Sequence, residues 1–188
     1  MDDMRIAADL ACGTGTKLKG AIAVGFGCPF EGDVPLDRIE DIASQFAALG
    51  FDALTLGDAT GMATPLLVRR TVRRLQSVLP QMPLVLHLHN SHGGGLVNIL
   101  EGLALGVTGF ESSLARIGGC SFAPCASGNI CTEDTVCLLQ ELGIDPEKLR
   151  AVAPRLEQVL GRTLQGQAMR AGPRLRKCAL ADQGTAVG

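Results

Sequence analysis

Four times along the chain, a short apolar run is followed by a segment whose apolar residues recur every three or four positions. The runs lie at 18–26, 51–56, 83–88 and 107–112. Their length and their Gly and Pro borders predict strands, and the segments between them predict amphipathic helices. The first helix lines up Leu36, Ile39, Ile42, Ala43, Phe46 and Leu49, with Gly50 placed to close it. In the second, Thr64 is a suitable cap and Pro65 a suitable first residue, and Val68, Val72, Leu75 and Leu79 form the inner face. The third spans 96–105, with Gly106 beyond it. The fourth begins with Thr132 as its cap and runs to about Leu142, where Gly143 stops it. A last helix is expected from Asp145-Pro146, with Leu149, Val152, Leu156 and Val159 on one side.

Strands alternating with helices predict an α/β fold with a parallel sheet and right-handed crossovers. Four such β-α units are half of an eight-fold barrel, and a complete barrel takes ~250 residues. The 188 residues are too few to close one alone. The expected architecture is therefore a partial (β/α)8 barrel, with an open doubly wound sheet as the competitor. Residues 1–161 form the expected barrel portion. From 162 onward the periodicity fades, and Arg162, Arg170, Arg174, Arg176 and Lys177 face only Asp182. This predicts a basic, mobile tail over 162–188.

Several function classes are disfavoured by composition. With 17 Lys and Arg against 19 Asp and Glu, no global positive field attracts nucleic acid. Aromatics are 3%, all of them Phe, too few for a base-stacking platform. No apolar run approaches a membrane span. Seven cysteines without a C-x-x-C pair suggest a reduced, cytoplasmic chain rather than a disulfide scaffold or zinc knuckle. Arg69, Arg70, Arg73 and Arg74 make a basic cluster, either a solvated helix face or an anion site.

In both architectures the site lies at the carboxyl ends of the strands. His87 and His89 fall there, and their spacing of two turns both imidazoles to one face. They read either as half of a divalent-metal site or as two hydrogen-bonded strand histidines. Asp58 follows the second strand. It either accepts backbone N–H bonds in a tight turn or presents a carboxylate to substrate or metal-bound water. Cys120 follows Gly118-Gly119, so its thiol could approach a ligand and move with a loop, or it could be an ordinary buried cysteine. Asn129 could offer an amide oxygen to a hard metal, or simply occupy a turn. Glu133 opens a helix, where a carboxylate suits the dipole.

Five runs carry a resemblance when taken together: Gly27-Cys28-Pro29-Phe30-Glu31-Gly32, Leu56-Gly57-Asp58-Ala59-Thr60-Gly61, His87-Leu88-His89-Asn90, Gly118-Gly119-Cys120-Ser121-Phe122-Ala123 and Ala126-Ser127-Gly128-Asn129. Their order and spacing resemble the 3-hydroxy-3-methylglutaryl-CoA lyase family of metal-dependent TIM-barrel lyases. The likeness covers roughly residues 18–143 and implies the last four β-α units of the barrel. It implies Mg²⁺ or Mn²⁺ as the cofactor, with His87, His89 and Asn129 as metal ligands. It also implies Cys120 as a catalytic thiol on a mobile loop, Asp58 and His87 as catalytic groups, and Thr55 as a substrate contact. The implied reaction is retro-Claisen cleavage of an acyl-CoA substrate to acetyl-CoA and acetoacetate.

Two departures qualify that likeness. The family's Arg-Asp-Gly pattern, which carries an anionic metal ligand, does not occur in these residues. Asn90-Ser91-His92 stands where the family usually has Asp-Thr-Tyr, which suggests a different acyl-CoA. Low activity is therefore expected of the isolated chain. The alternative reading is a non-catalytic half-barrel that works by self-association or with a complementary amino-terminal half.

Overall fold

The structure is a computed structural model and describes residues 1–118, 128–143 and the pair 166–167. Helix α1 (Asp2–Ala11) precedes four β-α repeats: β1 (Lys19–Ile22), α2 (Leu36–Ala48), β2 (Ala53–Gly57), α3 (Pro65–Val78), β3 (Leu84–His87), α4 (Gly95–Ala104), β4 (Gly109–Glu111) and α5 (Thr132–Glu141). A 3-10 turn, Leu114–Arg116, lies between the last two. The expected last helix and Cys120 lie outside the described residues, as does the tail apart from 166–167.

All neighbouring strands pair in parallel, in the order β1-β2-β3-β4. This order decides between the two architectures. A doubly wound sheet reverses its order at a switch point, whereas a barrel adds each strand beside the previous one. The fold is therefore part of an α/β barrel.

Strand alternation explains where the core lies. Ile22, Leu54, Leu56, Leu84 and Leu86 point to one side and are buried. Against them pack Ile39, Ala43 and Phe46 of α2, Val68, Val72 and Leu75 of α3, and Ile99 of α4. Gly20 lets α2 come close, because a Cβ there would sit 2.7 Å from the Phe46 ring. The outer helices are also laced together by charge. Arg69 of α3 holds Glu101 of α4 through two 2.7 Å bonds, and Arg74 reaches Glu40 of α2. These two members of the basic cluster are thus paired with carboxylates of the flanking helices.

Most expected elements appear, with two local differences. β1 ends at Ile22 rather than running to Phe26. Past it the chain curls over the end of β2, where the Gly25 N–H donates to the Gly57 carbonyl at 2.9 Å. Thr64 caps α3 as expected, accepting from the Leu67 N–H at 3.2 Å. Thr132 does not cap α5: Cys131 holds that position, and the Thr132 hydroxyl lies 2.8 Å from that of Ser112.

Candidate active site

The strand register brings the site together. Gly57, His87 and Glu111 are paired side by side at the carboxyl ends of β2, β3 and β4. The strand faces turned away from the helices form the inner wall of a cavity of about 430 Å³, lined by Ala21, Thr55, His87, His89, Glu111 and Asn129 among others. His87 and His89 both reach it, with ring centroids 5.4 Å apart and planes at 55°.

Asn129 comes from the segment that precedes α5. A backbone bridge pairs it with His89: the Asn90 N–H donates to the Gly128 carbonyl at 3.2 Å, and the Ile130 N–H to the Leu88 carbonyl at 3.1 Å. The Asn129 amide nitrogen donates to the Ile117 carbonyl at 3.0 Å, which fixes the orientation of its side chain. His89 is held below its ordinary pKa, first because burial disfavours the charged ring and then by the neighbouring His87. The Asn129 side chain works in the opposite sense.

Glu111 was not among the residues singled out from sequence, yet it links the inner face. One carboxylate oxygen is bonded to Lys19 and lies 3.4 Å from the Thr55 hydroxyl. The other is 3.1 Å from His87 Nδ1. Burial pushes its carboxyl up, but Lys19 and His87 outweigh this and leave it below the usual range. The sequence signal was a charged residue at the carboxyl end of an apolar strand.

Asp58 is fully buried and turned into the β2–α3 connection. Its carboxylate accepts from the Ala63 N–H at 3.1 Å and the His89 N–H at 3.4 Å. Burial pushes its pKa up to about 6 against the pull of these backbone bonds. Glu133 is also buried, and accepts the Ala115 N–H through both oxygens, at 2.9 and 3.2 Å. Asn90 and His92 are engaged locally: Asn90 Oδ1 accepts the Gly95 N–H at 2.9 Å, and His92 Nδ1 is 2.9 Å from the Gly61 carbonyl.

The HMGL-like family profile matches residues 5–156.

The chain belongs to the HMGL-like family.

It is 40% identical over 157 residues to (R)-citramalyl-CoA lyase of Chloroflexus aurantiacus, covering 81% of this chain and 50% of that protein. It is 36% identical over 143 residues to hydroxymethylglutaryl-CoA lyase YngG of Bacillus subtilis, covering 74% and 48% respectively. Among solved structures, an HMG-CoA lyase from Acinetobacter baumannii in complex with coenzyme A and 3-methylmalate superposes with a TM-score of 0.84 at 37% identity, covering 93% of this chain and 58% of that one. The chain thus spans about half the length of the curated relatives it matches.

The cation implied by the HMGL-like resemblance can be tested against these donors. Asn129 Oδ1 and His89 Nδ1 are buried without a hydrogen-bond partner. Orphaned buried polar atoms are costly, and each of these can offer a lone pair to a cation. Among the described residues no group of three or more His, Cys, Asp or Glu could hold a metal ion. The converging set in this HMGL-like chain is instead two imidazoles and an amide oxygen. The residues fit a cation as neutral donors, with His87, His89 and Asn129 able to hold it.

Proposed function

We propose that this chain forms the metal- and acyl-CoA-handling part of a carbon–carbon lyase acting on 3-hydroxy-3-methylglutaryl-CoA or a similar 3-hydroxyacyl-CoA. The observation that carries this reading is the convergence of His87, His89 and Asn129 on one cavity at the strand ends, in a chain whose relatives are acyl-CoA lyases. A bound Mg²⁺ or Mn²⁺ would supply Lewis acidity toward the substrate's hydroxyl and carbonyl oxygens.

The remaining chemistry belongs to the chain. His87, His89 and Asn129 would supply the donors that hold the cation, and Thr55 contacts the substrate from β2. Glu111 and His87 offer polar groups beside the reacting hydroxyl. Loss of the hydroxyl proton to a base lets the bond between the hydroxyl-bearing carbon and its neighbour break. Its electron pair passes to the acyl-CoA fragment as an enolate, leaving acetoacetate as the ketone. A proton returned to the enolate carbon gives acetyl-CoA. We assign that proton to the Cys120 thiol on the strength of the family resemblance. Asp58 acts by holding the β2–α3 turn against the backbone of His89.

The test is binding and cleavage by the purified chain with Mn²⁺. Binding of 3-hydroxy-3-methylglutaryl-CoA or citramalyl-CoA should require Mn²⁺ and vanish in the H87A/H89A double variant. Acyl-CoA binding that is unchanged by a chelator overturns the proposal. Acetyl-CoA release is expected to be slow, because three neutral donors hold a hard dication weakly. Fast release that disappears in Cys120→Ala would overturn the expectation of low activity while supporting the role of the thiol. Comparing the two acyl-CoA compounds identifies the preferred acyl group.

A further inference from the structure

We propose that Glu111 is a positioning residue: it accepts a hydrogen bond from the Nδ1–H of His87 and so leaves the Nε2 lone pair of that ring as the free one. Its value to a cation rests on the functional reading above, whereas the choice of tautomer does not.

The geometry begins in the backbone. His87 and Glu111 are direct partners on adjacent parallel strands, so their side chains emerge together on the cavity face. His87 Nδ1 lies 3.1 Å from Glu111 Oε2. The other carboxylate oxygen is occupied by Lys19 of β1, which reaches across the inner face, and lies near the Thr55 hydroxyl. This division of labour leaves Oε2 for the imidazole. An ionised carboxylate only accepts hydrogen bonds, so at neutral His87 the shared proton must sit on Nδ1. The ring's remaining lone pair is then on Nε2. His89 lacks such a partner, since its Nδ1 is buried and unbonded. The two imidazoles are therefore held by different means, one by a carboxylate and one by packing and the Asn129 bridge. Carboxylates placed behind ligating histidines fix ring orientation and typically alter metal affinity about 10–100-fold.

The pair also accounts for a charge that packing alone would not favour. Glu111 is half-buried at the end of a three-residue strand, and an unpaired carboxylate there would be costly. Lys19 balances the charge through the other carboxylate oxygen, leaving Oε2 able to accept from His87.

The experiment reads imidazole tautomers by long-range ¹⁵N–¹H correlation on the full chain near pH 8, without metal. His87 in the wild type is expected as the Nδ1–H form. In Glu111→Ala it should shift toward the Nε2–H form that free imidazole prefers. An Nε2–H signal in the wild type, or no shift in the variant, overturns the proposal. If Glu111→Ala fails to fold, Glu111→Gln keeps the side-chain shape. Its neutral amide is a weaker acceptor than a carboxylate, so the Nδ1–H population should still fall.

A parallel Mn²⁺ titration followed by electron paramagnetic resonance should show affinity about tenfold weaker in Glu111→Ala. Equal affinities in the two proteins overturn the positioning role. A wild type that binds no Mn²⁺ while showing the expected tautomer shift would remove the lyase reading and leave the hydrogen-bond assignment standing.

Discussion

Asn129 and His89 sit opposite each other as a non-hydrogen-bonded antiparallel pair, flanked by the Asn90-to-Gly128 and Ile130-to-Leu88 backbone bonds. Such pairs bring Cα atoms closest, about 4.5 Å apart, and so press their side chains together. The backbone rather than the amide makes this juxtaposition. Asn129→Ala should therefore keep the bridge and lose the 3.0 Å bond to Ile117, at a cost of about 1 kcal/mol, together with the side-chain contact that raises the His89 pKa. Mn²⁺ affinity should fall at least about tenfold. Titration of both proteins, with a thermal melt beside it, checks the two halves of this expectation.

Asp58 makes a contrasting prediction. Its carboxylate accepts the Ala63 and His89 N–H groups in a fully buried setting. Truncation to Ala leaves those donors without acceptors, each costing about 1–3 kcal/mol. Asp58→Ala should thus lose on the order of 3 kcal/mol in urea unfolding. A variant of unchanged stability that no longer binds acyl-CoA would instead assign Asp58 to the substrate.

These two residues mark where sequence reading succeeds and where it stops. The β-α alternation is legible because burial repeats with period two in strands and near 3.6 in helices. Local chemistry is legible too: Thr64 meets its own backbone three residues on. The shared face of His87 and His89 follows from their spacing of two, although β3 ends at His87 and His89 lies just beyond it in the bridge to Asn129. Glu111 is different. Its partners Lys19, Thr55 and His87 lie 92, 56 and 24 residues away. Only the strand register brings them together, and no local pattern encodes register. The two readings of Asp58 differ in side-chain direction, which spacing along a turn does not fix. Thr132 shows the same limit, since its hydroxyl turns to Ser112 rather than to its own helix.

Asp52 supplies the pH dependence. It ties the entry of β1 to that of β2, accepting the Leu18 N–H at 2.8 Å and pairing with Lys17 at 2.7 Å. The Lys17 hydrogen bond, followed by that from Leu18, holds its pKa below the usual 3.8. A carboxyl with a depressed folded pKa binds its proton less tightly in the folded state. Its stabilisation is therefore present above the unfolded value and is lost as pH falls through the folded one. Both groups of the ion pair are solvent-accessible, so the effect should be small and weakened by salt. Stability of Asp52→Asn measured from pH 6 to pH 2 should fall less steeply than that of the wild type. Parallel curves for the two proteins would show that the contact adds nothing.

Two neighbouring glycines separate steric need from mere occurrence at the mouth of the barrel. A Cβ on Gly57 would lie 2.8 Å from the Ala23 carbonyl oxygen and 3.0 Å from its Cα, both backbone atoms that cannot swing aside. At Gly25 the nearest atom would be 3.5 Å away, an ordinary contact. Neither glycine has a positive φ, so alanine meets no intrinsic backbone strain at either position. Gly57→Ala must push the segment after β1 away from β2 and strain the Gly25-to-Gly57 hydrogen bond. Overpacking of this kind costs about 1–3 kcal/mol, whereas Gly25→Ala should be nearly neutral. Because Ala23 and Gly57 both line the cavity, the Gly57 variant should also bind acyl-CoA more weakly. Urea unfolding of the two variants, paired with acyl-CoA titration, should separate them. Equal stabilities would mean that the end of β1 yields freely, and that the close approach to β2 does not shape the site.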